Sequence, residues 1–108
     1  MPTFQFQNLD VYKVAKQVAV RVQGAHIQDK ELRDQATRAA KSCFLNLSEG
    51  LPSDFTGVRR RHFAIAKGSL CEMSAAIDLA QAFGAIDEAL ATEVLADARR
   101  VAAMIRKL

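Results

Sequence analysis

Apolar residues recur every three or four positions along almost the whole chain, and only short polar gaps interrupt them. That spacing returns a side chain to the same side of a 3.6-residue turn, so it selects amphipathic helices over the two-residue alternation of a half-buried strand. Four segments carry it. In the first, about 9–23, Val11, Val14, Val18 and Val22 form the stripe, with Asn8 expected at the N-cap and Gly24 at a left-handed stop. The second, about 30–49, follows Asp29 and carries Leu32, Ala36, Ala39, Cys43 and Leu47 before Gly50 and Pro52. The third, about 55–83, has Asp54 as its expected cap. Its seam runs Phe55, Val58, His62, Ile65, Ser69, Met73, Ala76, Ala80 and Phe83, with Phe63, Ala66, Leu70, Met73 and Ile77 as a second stripe beside it. The fourth, about 87–107, starts at Asp87 and runs through Leu90, Val94, Ala98, Val101, Ile105 and Leu108.

Connections this short make successive helices antiparallel neighbours. The expected fold is therefore all-α, an antiparallel up-down-up-down four-helix bundle occupying residues 1–108 as one domain. The small residues Ala39, Ala40, Ser42, Ala66, Gly68 and Ser69 let the second and third helices approach closely. Gly68 inside a helix costs about 1 kcal/mol relative to alanine, which predicts a packing reason for it. Two apolar stripes on the third helix make its apolar face wider than one four-helix core requires, and surplus apolar face predicts subunit association.

Several function classes find no residues. No run of 18 apolar residues exists to span a membrane. MPTFQFQNLD has neither a basic start nor an apolar h-region, so the expected location is the cytoplasm, with Cys43 and Cys71 reduced. Both thiols lie on apolar stripes and are expected to be buried, too far apart along the axes to bridge. His26 and His62 form no metal-ligand spacing with them, so no metal and no cofactor is expected. No serine has the glycines of a nucleophile elbow and no phosphate loop is present, so no catalytic residue is assigned and the chain is read as a non-enzyme.

The run Gln35-Ala-Thr-Arg38-Ala-Ala-Lys-Ser42-Cys-Phe-Leu-Asn46-Leu-Ser48-Glu49-Gly50 resembles the hallmark segment of the four-helix bundle proteins encoded in bacterial 23S ribosomal-RNA intervening sequences. Leu9-Asp-Val11-Tyr12 is similar to that family's opening helix, and Phe63-Ala-Ile-Ala66-Lys-Gly68-Ser69-Leu70-Cys-Glu72 to its third-helix motif. The resemblance implies a homopentamer of antiparallel bundles with no catalytic residues. A related branch, the accessory variability determinant of diversity-generating retroelements, is a basic pentamer working with a reverse transcriptase and nucleic acid. Its implied partners are thus RNA or DNA, or a protein such as a reverse transcriptase. This chain is less basic than that branch. The residues placed in the structural motif are Arg38, Asn46, Glu49, Gly50, Gly68, Ser69 and Glu72. Asn46, Ser48 and Glu49 are expected to order the turn after the second helix, and Arg38 to pair with Glu72.

Alternating helix directions turn the charge list into a map. One end gathers Lys13, Lys16, Lys41, Arg59, Arg60, Arg61, Lys67, Arg99, Arg100, Arg106 and Lys107 against Asp10, Glu49, Asp54 and Asp97, while the other half carries an acidic excess. The net charge is only +3, but the molecule is expected to be polarised. Clustered cations of this kind bind phosphate backbones by counterion release. The expected contributors are Arg59, Arg60, Arg61, Lys67, Arg99, Arg100, Arg106 and Lys107. The three consecutive arginines fan over about 200° at roughly 100° per residue, so at least one must face a neighbour or an acid. The rival expectation is a protein-interaction scaffold that binds no nucleic acid.

Overall fold

The computed structural model describes residues 4–108, with the side chain of Asn8 outside the description. A 3-10 turn, Gln5–Asn8, leads into α1 (Asp10–Gln23), α2 (Lys30–Gly50), α3 (Thr56–Ala82) and α4 (Glu88–Arg106). These bounds lie within one residue of those read from the sequence. Asp29 and Asp87 cap α2 and α4, their carboxylates accepting from the N–H of Leu32 at 2.9 Å and of Leu90 at 3.0 Å. Each satisfies a donor that the first helical turn leaves open.

The other expected ends differ. The N-cap of α1 is Leu9, which has no capping side chain, so the cap does not fall at Asn8. The N-cap of α3 is Phe55, and Asp54 does not cap it. Instead, Ser53 Oγ accepts from the Phe55 N–H at 3.2 Å. Gly24 has φ −90°, so it is not a left-handed stop; His26, at φ 53°, takes that conformation two residues later. Gly84 does adopt it, at φ 69°.

Side-chain contacts fix the helix directions. Ser42 Oγ meets Ser69 Oγ at 2.8 Å, and four residues further along α2 Asn46 meets His62, seven residues back along α3. Those two helices are antiparallel. The Arg21 guanidinium reaches Asp97 at 2.6 Å, while the first residues of α1 lie beside Met104, Lys107 and Leu108, so α1 and α4 are antiparallel too. Tyr12 packs on Phe44 with the rings tilted by 47° and their centroids 4.9 Å apart, joining α1 to α2. At the far end the Gln28 N–H donates to the Ala85 carbonyl at 2.8 Å, tying the α1–α2 and α3–α4 loops together. One pole therefore holds the start of α1, the α2–α3 turn and the end of α4, and the two loops form the other.

The core centres on Val22, Ile27, Leu47, Met73, Ile77, Val94 and Val101. Of the two stripes on α3, the buried one is Phe63, Ala66, Leu70, Met73 and Ile77, whereas Phe55, Val58, Ile65 and Phe83 are exposed. The seam expected from the sequence is thus rotated. Its members Ser69, Met73, Ala76 and Ala80 are buried, while Phe55, Val58, Ile65 and Phe83 face outward. Cys71 is exposed, contrary to expectation, while burial pushes the Cys43 thiol up to about 12. No helix among the described residues is long and apolar enough to cross a membrane.

Candidate nucleic-acid interface

The expected cations divide by which side of the bundle they occupy. Ser69 and His62 face α2, so Lys67 and Arg60, each two residues earlier and about 200° round the helix, lie on the opposite flank of α3, toward α4. Asp97 faces α1, so by the same rotation Arg99, two residues later, lies on the α3 flank of α4, and Arg106 repeats it seven residues on. Two pairs spaced by seven residues thus line one face, each pair about 10.5 Å apart at 1.5 Å per residue. All four side chains are exposed, and none makes a hydrogen bond or ion pair among the described residues.

The other four expected cations are elsewhere. Arg59 is half-buried, and its Nη1 lies 3.2 Å from the Gly50 carbonyl, 2.6 Å from that of Leu51 and 3.3 Å from that of Ser53. Its guanidinium also sits 5.1 Å from the centre of the Phe63 ring. It satisfies the open carbonyls at the end of α2, so its guanidinium is engaged within the fold and does not join the exposed row. Replacing Arg59 by alanine is expected to destabilise the bundle by about 1–3 kcal/mol, because carbonyls of a tight turn lose their donor. The same change at exposed Arg60 stays within about 0.5 kcal/mol, and urea denaturation separates the two. Arg61 points outward from α3, one residue before the α2-facing His62. Arg100 lies on the α1 flank of α4, 3.4 Å from Asp97 Oδ1, and Lys107 is two turns beyond it. Asp97, assigned from the sequence to the cationic end, sits level with Arg21, and the two neutralise each other. On the loop pole Lys30 is paired with Asp34 at 2.8 Å, an ammonium that holds that carboxyl below its usual range.

The structural motif is partly assembled. Asn46 Nδ2 donates to the Ser42 carbonyl at 2.8 Å, leaving Asn46 Oδ1 as an acceptor 2.9 Å from His62 Nδ1. His62 Nε2 lies 3.3 Å from Glu49 Oε2. A chain of polar contacts therefore runs Glu49, His62, Asn46, Ser42, Ser69 across the α2–α3 seam. His62 and Ser42 were not among the residues expected there, although the rows 42–46–49 and 62–69 already placed them on facing sides. Gly50 adjoins the chain because a Cβ there would stand 2.8 Å from Phe63 Cε1 and 3.1 Å from His62 Cβ. Arg38 and Glu72 are not joined to the motif or to each other. The Arg38 guanidinium donates to Gln35 Oε1 at 3.2 Å, and no ion pair within 4.0 Å links it to Glu72. Gly68 is exposed, and a Cβ on it would meet nothing within 4 Å, so the packing reason expected for it is absent from the protomer. No group of three or more His, Cys, Asp or Glu among the described residues is placed to hold a metal ion.

A family model described as 23S rRNA-intervening sequence protein matches residues 7–107, which takes in all four helices and both motif segments. Among curated proteins none matches.

Proposed function

The chain belongs to the 23S rRNA-intervening sequence protein family, and from that premise we propose that it is a non-enzymatic, homo-oligomeric protein that binds the phosphate backbone of RNA or DNA. The observation that carries this reading is the row of four unengaged cations, Arg60, Lys67, Arg99 and Arg106, on the α3–α4 flank. Cations free of internal partners keep their full charge for phosphates, and binding them releases counterions. Five copies, the number the resemblance implies, repeat the row and multiply weak contacts where the spacing lets several engage at once. The polar chain supports a binding role over a catalytic one. Ser42 and Ser69 bond each other, and His62 is engaged by Asn46 and Glu49, so among the described residues no hydroxyl is hydrogen-bonded to a histidine.

Titration of structured RNA and of duplex DNA across salt concentration tests the reading. Four phosphate contacts give a log–log slope of about −3.6 on duplex DNA, so affinity falls roughly a hundredfold between about 50 and 200 mM salt. No binding at the lowest salt would defeat it and favour a protein-interaction scaffold, for which the exposed large apolar side chains of α3 speak.

A further inference from the structure

The face formed by α2 and α3 has a different character from the cationic flank. On it the rows Arg38–Ser42–Leu45–Glu49 and His62–Ile65–Ser69–Glu72 each advance by three or four residues and stay on one side of their helices. The contact between Ser42 and Ser69 sets their register. One turn from it toward the loop pole stand Arg38 and Glu72, level with each other and not ion-paired. One turn toward the pole of the α2–α3 turn stand Leu45 and Ile65, which are 57% and 41% exposed. Leu79 and Phe83 carry the exposed apolar row on along α3. Gly68 lies within this stretch, where alanine is favoured by about 1 kcal/mol and nothing in the protomer forbids it.

We propose that a second copy of this chain covers this face, with Arg38 of one copy paired to Glu72 of the other beside a contact made by Leu45 and Ile65. The charges select the occupant. A nucleic acid would bring phosphates against Glu49 and Glu72, whereas this chain presents a cation and a carboxylate at one height and so answers both signs at once. The exposed leucines and isoleucine gain from being covered, and an apolar centre rimmed by opposite charges is the make-up of a protein interface. The proposal rests on the homo-oligomeric part of the function proposed above and adds the surface and the pairing that hold it.

Light scattering on the full chain at micromolar concentration tests it. The wild type is expected to exceed the 11.8 kDa protomer, and Ile65→Glu to fall back to it with its helical circular dichroism intact. Leu45→Lys, at the more exposed position, is the second variant should Ile65→Glu not fold. Arg38→Glu and Glu72→Arg, singly, are each expected to weaken assembly by about tenfold through like-charge contact, and the double reversal to restore it. A monomeric wild type overturns the inference and the homo-oligomeric reading together. An oligomer unmoved by Ile65→Glu and Leu45→Lys overturns the face alone, and a double reversal that stays dissociated overturns the Arg38–Glu72 pairing. None of these variants touches Arg60, Lys67, Arg99 or Arg106, so nucleic-acid binding by those residues is read separately.

Discussion

Replacing Gly50 by alanine is expected to lower the melting temperature, whereas the identical change at Gly68 raises it. Both glycines lie in helices, Gly68 in an interior where alanine is favoured by about 1 kcal/mol and Gly50 at the last position of α2, where the gain is no larger. They differ in what the added methyl meets. At Gly50 it stands 2.8 Å from Phe63 Cε1, with Phe63 Cδ1 and His62 Cβ both at 3.1 Å. Phe63 is buried and its ring is flanked by the Arg59 guanidinium, which also holds the turn carbonyls, so the ring cannot swing aside without disturbing the end of α2. Overpacking of this kind costs about 1–3 kcal/mol net. At roughly 4–8 °C per kcal/mol for a domain of this size, the loss reaches several degrees or more. At Gly68 nothing lies within 4 Å and the gain is kept. A calorimetric scan of the two variants beside the wild type checks both signs. An unchanged melting temperature for Gly50→Ala would mean that α2 and α3 are not as close at the turn as described.

The two glycines also show how much of this fold could be read from the sequence. Periodicity located all four helices, because burying one side of a helix requires apolar residues at intervals of three and four whatever the tertiary context. The acidic caps Asp29 and Asp87 were legible because their bonds reach only three residues ahead. The side of α3 that faces the core was not legible. Its two stripes share Met73, both satisfy the helical period, and the choice between them is made by α2, on a different part of the chain. Ile65 and Phe83 were misplaced with that choice, whereas Cys71 lies about 200° round the helix from Ser69 and belongs to neither stripe. The same limit hid the role of Arg59. The fan of three arginines showed that at least one had to face a neighbour or an acid, but not which, since the carbonyls that Arg59 satisfies belong to a turn whose path depends on Gly50 and Phe63. One local signal was present, the four-residue spacing from Arg59 to Phe63 that allows the guanidinium to lie on the ring. No Arg38–Glu72 ion pair within 4.0 Å forms in the protomer although the two residues are level, and the guanidinium donates instead to Gln35, one turn away on its own helix.

Reversing two charges on the α3–α4 flank, Lys67→Glu with Arg106→Glu, is expected to abolish most nucleic-acid affinity while leaving the fold intact. Both residues are exposed and make no internal hydrogen bond or ion pair among the described residues, so exposed substitution there changes stability by no more than about 0.5 kcal/mol each. The antiparallel register places them close in height, one on each helix, so the pair sits at the middle of the cationic row. Each reversal removes one released counterion and sets a carboxylate against the phosphates. The log–log salt slope should therefore flatten by about two units, and affinity at low salt should drop by roughly a hundredfold or more. Arg59→Ala supplies the contrast, because that side chain is occupied with the carbonyls of Gly50, Leu51 and Ser53. It should melt earlier and, below its melting temperature, bind with an undiminished slope. The opposite pattern, with the double reversal binding normally and Arg59→Ala losing affinity in its folded state, would move the interface from the α3–α4 flank to the pole around the α2–α3 turn.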